Sequence, residues 1–274
     1  MPSLPPLREV IARYGLGARK SLGQHFLLDQ NLTGRIARAA DPLQHGTVFE
    51  IGPGPGGLTR SLLAAGAARV IAIERDRRFL PALADLQAAY PGRLEIVEAD
   101  ALDVDLTTMA SQPRQIVANL PYNVSTALLL RWLPVSAAFT SMTLMFQKEV
   151  ADRLLATPRT KAYGRLSVAT QFHCAAKPLF LVPPSAFTPP PQVVSTVVQL
   201  RPRPDRPADI ASASLERIVA AAFGQRRKML RASLKALGRD PEPALLAAGI
   251  APTARAEELD LDAFCRLTRA YSAL

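Results

Sequence analysis

Asn119-Leu120-Pro121-Tyr122 is the stretch whose residue types could do chemistry: it follows the apolar run Ile116-Val117-Ala118 and precedes a helix-like run at 125–130. Pro121 has no N–H and biases Leu120 toward extended backbone. The Leu120 carbonyl and the Asn119 side-chain amide can then converge on one small polar group. Two acceptors are on offer, and no base. Tyr122 adds a flat amphipathic ring, a stacking surface for a base lifted out of its helix. The set suits the exocyclic amine of a purine. Taken alone, it is equally an ordinary loop after a buried strand.

A second constellation lies upstream. The strand-like 47–51 runs into Gly52-Pro53-Gly54-Pro55-Gly56-Gly57, in which Gly52, Gly54 and Gly57 satisfy the dinucleotide fingerprint. Pro53 and Pro55 remove two N–H donors where a pyrophosphate would need them. S-adenosylmethionine, with only a carboxylate and an ammonium at that end, suits the loop better. Glu74 follows the next strand and is placed to take two ribose hydroxyls. Asp100, after a third strand, can receive an adenine amino group or serve only as a turn or helix cap. The segment 19–27, with Gln24, His25 and Leu27, is too decorated for a plain linker and is expected to cover the cofactor. His25 beside Phe26 is more often structural than a general base. Phe187, on the Thr188-Pro189-Pro190-Pro191 stretch, is expected on a stiff polyproline-like segment. There it either stacks on a base opposite Tyr122 or fills the core under a loop.

The elements that must position these residues read as alternating strands and helices. Strands at 47–51, 70–73, 94–98 and 115–118 place each polar terminus at a carboxyl end, the edge where open α/β sheets bind ligands. Further strands are expected at 142–146 and 193–200, and a linker at 201–212. The fold class is therefore α/β, a mostly parallel doubly wound sheet, with a catalytic domain over 1–204 and a small helical domain over 205–274. In the latter, a helix over 226–237 would set Phe223, Leu230, Leu234 and Leu237 on one arc. Arg227, Lys228, Arg231, Lys235 and Arg239 would fill a neighbouring basic stripe. No acid interrupts 225–239, which favours phosphate contact over a solvated face. The loop Lys161-Ala162-Tyr163-Gly164-Arg165 is a weaker RNA-contact candidate.

Composition narrows the class. The chain has 274 residues, 49% of them hydrophobic, and a net charge of +10, with a pI near 10.2; a polyanionic partner is expected, nucleic acid before membrane. Cys174 and Cys265 lack metal-ligand spacing, so no metal and reduced thiols in a cytoplasmic setting are expected. No apolar run is long enough to span a bilayer, and no signal-peptide pattern is expected at the start of the chain.

The segment 20–27, Glu50-Ile51-Gly52-Pro53-Gly54, Asn119-Leu120-Pro121-Tyr122-Asn123, Phe187-Thr188-Pro189-Pro190-Pro191 and Phe223-Gly224-Gln225-Arg226-Arg227-Lys228 together resemble the small-subunit ribosomal RNA adenine dimethyltransferase family. The likeness runs from about residue 7 to the end. It implies a Rossmann-like class I methyltransferase fold, S-adenosyl-L-methionine as donor, and dimethylation of two adjacent adenines near the 3′ end of 16S rRNA in a pre-30S subunit, by a monomer. It also implies cofactor contacts at His25, Leu27, Gly52, Glu74, Asp100 and Asn119. His25 stands where many relatives have Asn. The alternatives are methylation of large-subunit rRNA, a nucleic-acid-binding protein on the same fold without methyl transfer, and, more distantly, a nicotinamide oxidoreductase.

Overall fold

The computed structural model describes residues 4–19 and 23–273; Lys20, Ser21 and Leu22 of the basic segment lie outside them. In chain order the elements are α1 (Leu7–Arg13), β1 (Phe26–Leu27), α2 (Gln30–Ala39), β2 (Thr47–Ile51), α3 (Gly57–Ala64), β3 (Arg69–Glu74), α4 (Leu80–Ala89), β4 (Leu94–Glu98), β5 (Arg114–Asn119), α5 (Tyr122–Trp132) and β6 (Ser141–Gln147). There follow α6 (Lys148–Leu155), α7 (Arg165–His173), β7 (Cys174–Val182), β8 (Phe187–Thr188), β9 (Ser195–Pro202), α8 (Ser212–Gly224), α9 (Leu230–Ser233), α10 (Glu242–Ala247) and α11 (Leu261–Ala273).

Two compact units result, Met1–Ala151 with Lys177–Pro202, and Asp152–Ala176 with Arg203–Leu274. The division differs from the expected cut at 204/205, because residues 152–176 belong with the helices. Tyr163, Val168 and Phe172 lie in one apolar cluster with Leu215, Ile218 and Phe264. The buried Tyr163 hydroxyl donates to the Leu259 carbonyl at 2.9 Å.

The first unit is organised on a seven-stranded sheet in the order β4-β3-β2-β5-β6-β9-β7. The strands β4, β3, β2, β5 and β6 are parallel, and β9 runs antiparallel to β6 with Ser195 opposite Gln147. All five residues of β2 are buried, as expected of a central parallel strand covered on both faces. Such strands end at one edge, so the termini of β2, β3, β4 and β5 are neighbours there. Antiparallel β9 starts at that same edge.

Two features of the sheet region differ from the sequence expectation. Strand β7 contains Pro178 and alternates irregularly between buried and exposed positions; it is the edge strand, where proline is tolerated and a core pattern is not required. Strands β1 and β8 are two residues each, antiparallel, with Leu27 opposite Phe187, too short for any periodicity. The polyproline-like segment expected at Phe187 is thus a paired strand at its first two residues.

Candidate active site

The glycine loop between β2 and α3 is held by its own backbone. Gly52 and Gly54 have φ of +65° and +55°, the left-handed region that glycine enters without a Cβ clash. Gly52 N–H donates to the Ile73 carbonyl at 2.9 Å and Gly56 N–H to that of Pro53 at 3.0 Å. Gly54 N–H donates to Glu74 Oε2 at 3.0 Å. With Pro53 and Pro55 lacking donors, every N–H from Gly52 to Gly56 is engaged or missing. A pyrophosphate finds no cradle there. At Gly57 a Cβ would lie 2.6 Å from the Leu27 carbonyl oxygen, so β1 rests directly on the loop.

Four carboxyl side chains, Glu50, Glu74, Asp76 and Asp100, line the pocket of about 540 Å³ that the loop borders. Glu74 is buried, with Oε1 accepting from Asp76 N–H at 2.7 Å and Oε2 from Gly54. Burial raises its pKa. Both oxygens expected to take ribose hydroxyls therefore already order the loop, and each keeps a further lone pair. Asp100 accepts from Arg75 Nη1 at 2.6 Å and from Leu102 N–H at 3.0 Å. These contacts, the backbone N–H foremost, hold its pKa low. The turn role and the pocket position coexist.

Glu50 is a residue that sequence reasoning placed in a motif without assigning it a task. It is 2% exposed, lines the pocket, and its Oε2 has no hydrogen-bond partner among the described residues. Burial, with the nearby Glu74 charge adding to it, pushes its pKa up to about 8. Its signal was an acid near the end of an otherwise apolar strand. A buried carboxylate with an open oxygen calls for a cationic or hydrogen-donating ligand group.

Gln24 lines the pocket as expected, yet both ends of its amide are engaged elsewhere. Its Nε2 donates to Asp76 Oδ2 at 3.0 Å and its Oε1 accepts from Arg78 Nη2 at 3.2 Å. Hydrogen bonding from Arg78 brings the Asp76 pKa down to about 2. Gln24 is a strut between the segment before β1 and the end of β3.

The Asn119 turn closes the site. Asn119 Nδ2 donates to the His25 backbone carbonyl at 3.3 Å; that oxygen can only accept, so the amide is oriented with Oδ1 as an acceptor that no hydrogen bond among the described residues engages. Leu120 is buried, and Pro121 precedes the first residue of α5. The Tyr122 hydroxyl shares a 2.6 Å hydrogen bond with Ser195 Oγ. The His25 ring lies 5.5 Å from the Tyr122 ring, tilted 31°, and its Nδ1 donates to the Pro189 carbonyl at 2.8 Å. That bond makes Nδ1 the protonated nitrogen of the neutral ring.

The structure brings Gln24, His25, Leu27, Gly52, Gly54, Glu74, Asp100 and the four residues Asn119 to Tyr122 around one pocket. Phe187 is excluded from this set. It is 3% exposed and sits in the core of its unit, edge-on to His25 at 6.4 Å. Pairing of β8 with β1 turns it inward, so it backs His25 and offers no open face to a base.

The basic stripe is also rearranged. Helix α8 stops at Gly224, and 225–229 is a turn. Met229 bridges Arg255, while Leu230 N–H and Arg231 N–H donate to the carbonyls of Ala254 and Pro252. Those donors would have served a continuous helix over 226–237. Arg227, Lys228, Arg231 and Lys235 remain exposed and lack an anionic partner among the described residues. Arg226 instead pairs with Glu257, and Arg239 packs on Tyr271.

A family model described as ribosomal RNA adenine dimethylase matches residues 15–272. The chain belongs to the ribosomal RNA adenine dimethylase family. It is 63% identical over 270 residues to ribosomal RNA small subunit methyltransferase A of Rhodospirillum rubrum, covering 98% of this chain and 93% of that one. To the protein of the same name from Paramagnetospirillum magneticum it is 63% identical over 273 residues, covering 100% and 97%. Among solved structures it resembles a dimethyladenosine transferase from Plasmodium falciparum, with TM-score 0.77, 26% identity, and coverage of 91% and 98%. It also resembles the 23S rRNA methyltransferase ErmE, with TM-score 0.69, 29% identity, and coverage of 90% and 99%. A member of this family with this mostly parallel sheet is a methyltransferase enzyme of Rossmann-like fold.

Proposed function

We propose that the protein transfers methyl groups from S-adenosyl-L-methionine to the exocyclic amines of two adjacent adenines near the 3′ end of 16S rRNA in the assembling small subunit. It acts in this reading as a cytoplasmic monomer without a metal. The observation that carries it is the orientation of Asn119: the His25 carbonyl holds Nδ2, which leaves Oδ1 as an acceptor, and the carbonyl of the next residue, Leu120, is the second acceptor in this reading. Identity of 63% with proteins named for the small subunit favours that substrate over large-subunit rRNA.

The residues present fit the donor. The open Oε2 of buried Glu50 suits an ammonium, Glu74 the ribose, and Asp100 the adenine, while His25, Leu27 and the Gly52–Gly54 turn would enclose it. The donor supplies an electrophilic methyl on a sulfonium. Asn119 and Leu120 grip the hydrogens of the target amine and turn its lone pair toward that methyl. Tyr122 holds the base by stacking. Positioning supplies much of the barrier reduction in such a displacement, so neither a base nor a metal has a step to perform. Arg227, Lys228, Arg231 and Lys235 contact rRNA phosphates.

Mapping methylated adenines in 16S rRNA from cells with and without the gene tests this reading. Dimethylation of two neighbouring adenines that disappears with the gene is expected. Unchanged rRNA, together with RNA binding by the purified protein, would instead identify a binding protein.

A further inference from the structure

The bond between Tyr122 and Ser195 has no part in the reading above, and it joins the active-site turn to a different region of the sheet. Ser195 opens β9, and antiparallel pairing to β6 sets it opposite Gln147. Asn119 at the end of β5 pairs with Met145 of the same β6, so register alone carries Ser195 to the edge where the turn emerges. Its Oγ lies 2.6 Å from the Tyr122 hydroxyl, and the residue is fully buried. Tyr122 is gripped at its backbone too, where its carbonyl accepts from Ser125 Oγ at 3.1 Å. The ring is thus held at both ends, with His25 tilted against one face.

We propose that Ser195 is a positioning residue that fixes the plane of the Tyr122 ring and thereby supports the second methyl transfer more than the first. The inference rests on the reading of Tyr122 as the platform for the target base. Each transfer breaks the S–CH₃ bond of the donor, with the electron pair returning to sulfur. It forms an N6–CH₃ bond and releases one N6 proton to solvent. An unmodified adenine presents two N6 hydrogens to Asn119 and Leu120. After one transfer a single hydrogen remains, one of the two grips is gone, and orientation of the base depends more heavily on stacking. A ring free to tilt therefore harms the second step selectively.

The test is single-turnover methyl transfer to immature small subunits at saturating donor, with monomethyl- and dimethyladenosine separated by mass spectrometry. Ser195→Ala removes the hydrogen bond from one side, and Tyr122→Phe removes it from the other while keeping the stacking face. Each variant is expected to accumulate monomethyladenosine, with the second transfer slowed about fivefold, the equivalent of one ordinary hydrogen bond. In Ser195→Ala the first transfer and donor affinity should be nearly unchanged, and the double variant should be no worse than either single one. Wild-type rates of dimethyl product in both variants would overturn the inference. So would proportionate slowing of both steps with weakened donor binding, which marks a merely structural bond. Wild-type protein that yields no dimethyladenosine would remove the proposed function, and this inference with it.

Discussion

At Asn119 one hydrogen bond decides the chemistry open to the side chain. An amide whose Nδ2 is committed to the His25 carbonyl presents an acceptor, and an aniline-like amine needs acceptors to localise its lone pair. Asn119→Ala is expected to reduce single-turnover transfer by ~10²-fold or more, about 2.7 kcal/mol of transition-state stabilisation, with RNA affinity little changed and the fold intact by circular dichroism. Near-normal transfer would remove Asn119 from the reaction. Glu50 makes a different kind of prediction. Its folded pKa of about 8 lies above the ordinary 4.5, so the ligand-free folded state binds more protons than the unfolded chain between those values. The stabilisation is fully present below pH 4.5 and is lost as pH rises to about 8. Thermal melts should show that decline, and Glu50→Gln should flatten part of it, the rest belonging to Glu74, whose pKa moves the same way.

The turn at 225–229 is the element where propensity and tertiary hydrogen bonding disagree. Local sequence there favours a helix carrying cations on one face, but the 252–255 segment takes the N–H groups of Leu230 and Arg231. The cations then fall on a turn followed by a short helix, without the regular angular spacing of a stripe. Their exposure and lack of anionic partners among the described residues still suit phosphate binding. Replacing Arg227, Arg231 and Lys235 by uncharged residues should lower RNA affinity and reduce the slope of log affinity against log salt by roughly 0.7 to 0.9 for each phosphate no longer neutralised. Donor affinity should be unaffected. A salt slope equal to that of the wild type would make these residues an ordinary solvated surface.

On the scale of the whole molecule, the helical unit is assembled from two separate stretches of chain. Tyr163, Val168 and Phe172 enter its core from 152–176, so a fragment containing only 205–274 lacks three large buried side chains. It also lacks the hydroxyl that satisfies the Leu259 carbonyl. Deleting even one buried aromatic of this size costs about 3–5 kcal/mol, comparable to the whole stability of a small domain. The fragment is expected to be unfolded by circular dichroism and amide exchange. A cooperative melt of 205–274 alone would show that the first stretch is dispensable to the unit.

The sequence by itself determined the features that depend on neighbours in the chain. Buried β2, β3 and β5 carry runs of apolar residues with a polar residue at or near the end, and the partly exposed edge strand β4 ends on Glu98. Parallel pairing then brings those polar ends together, so most of the candidate pocket was legible, and so was the family. The prolines in the glycine loop disfavoured a dinucleotide before the loop's remaining donors could be accounted for. Tertiary structure decided what depends on partners far away in the chain. Phe187 faces inward because a two-residue strand pairs with Leu27, and Gln24 is a strut because Asp76 and Arg78, far downstream in the chain, reach its amide. Glu50 is an open, protonation-poised carboxyl because none of the described residues reaches its Oε2 in the buried end of β2. The helix expected over 226–237 broke because a distant loop offered its N–H groups better acceptors. Periodicity records which face of an element is apolar, but it carries no information about which remote backbone or carboxylate will complete a hydrogen bond.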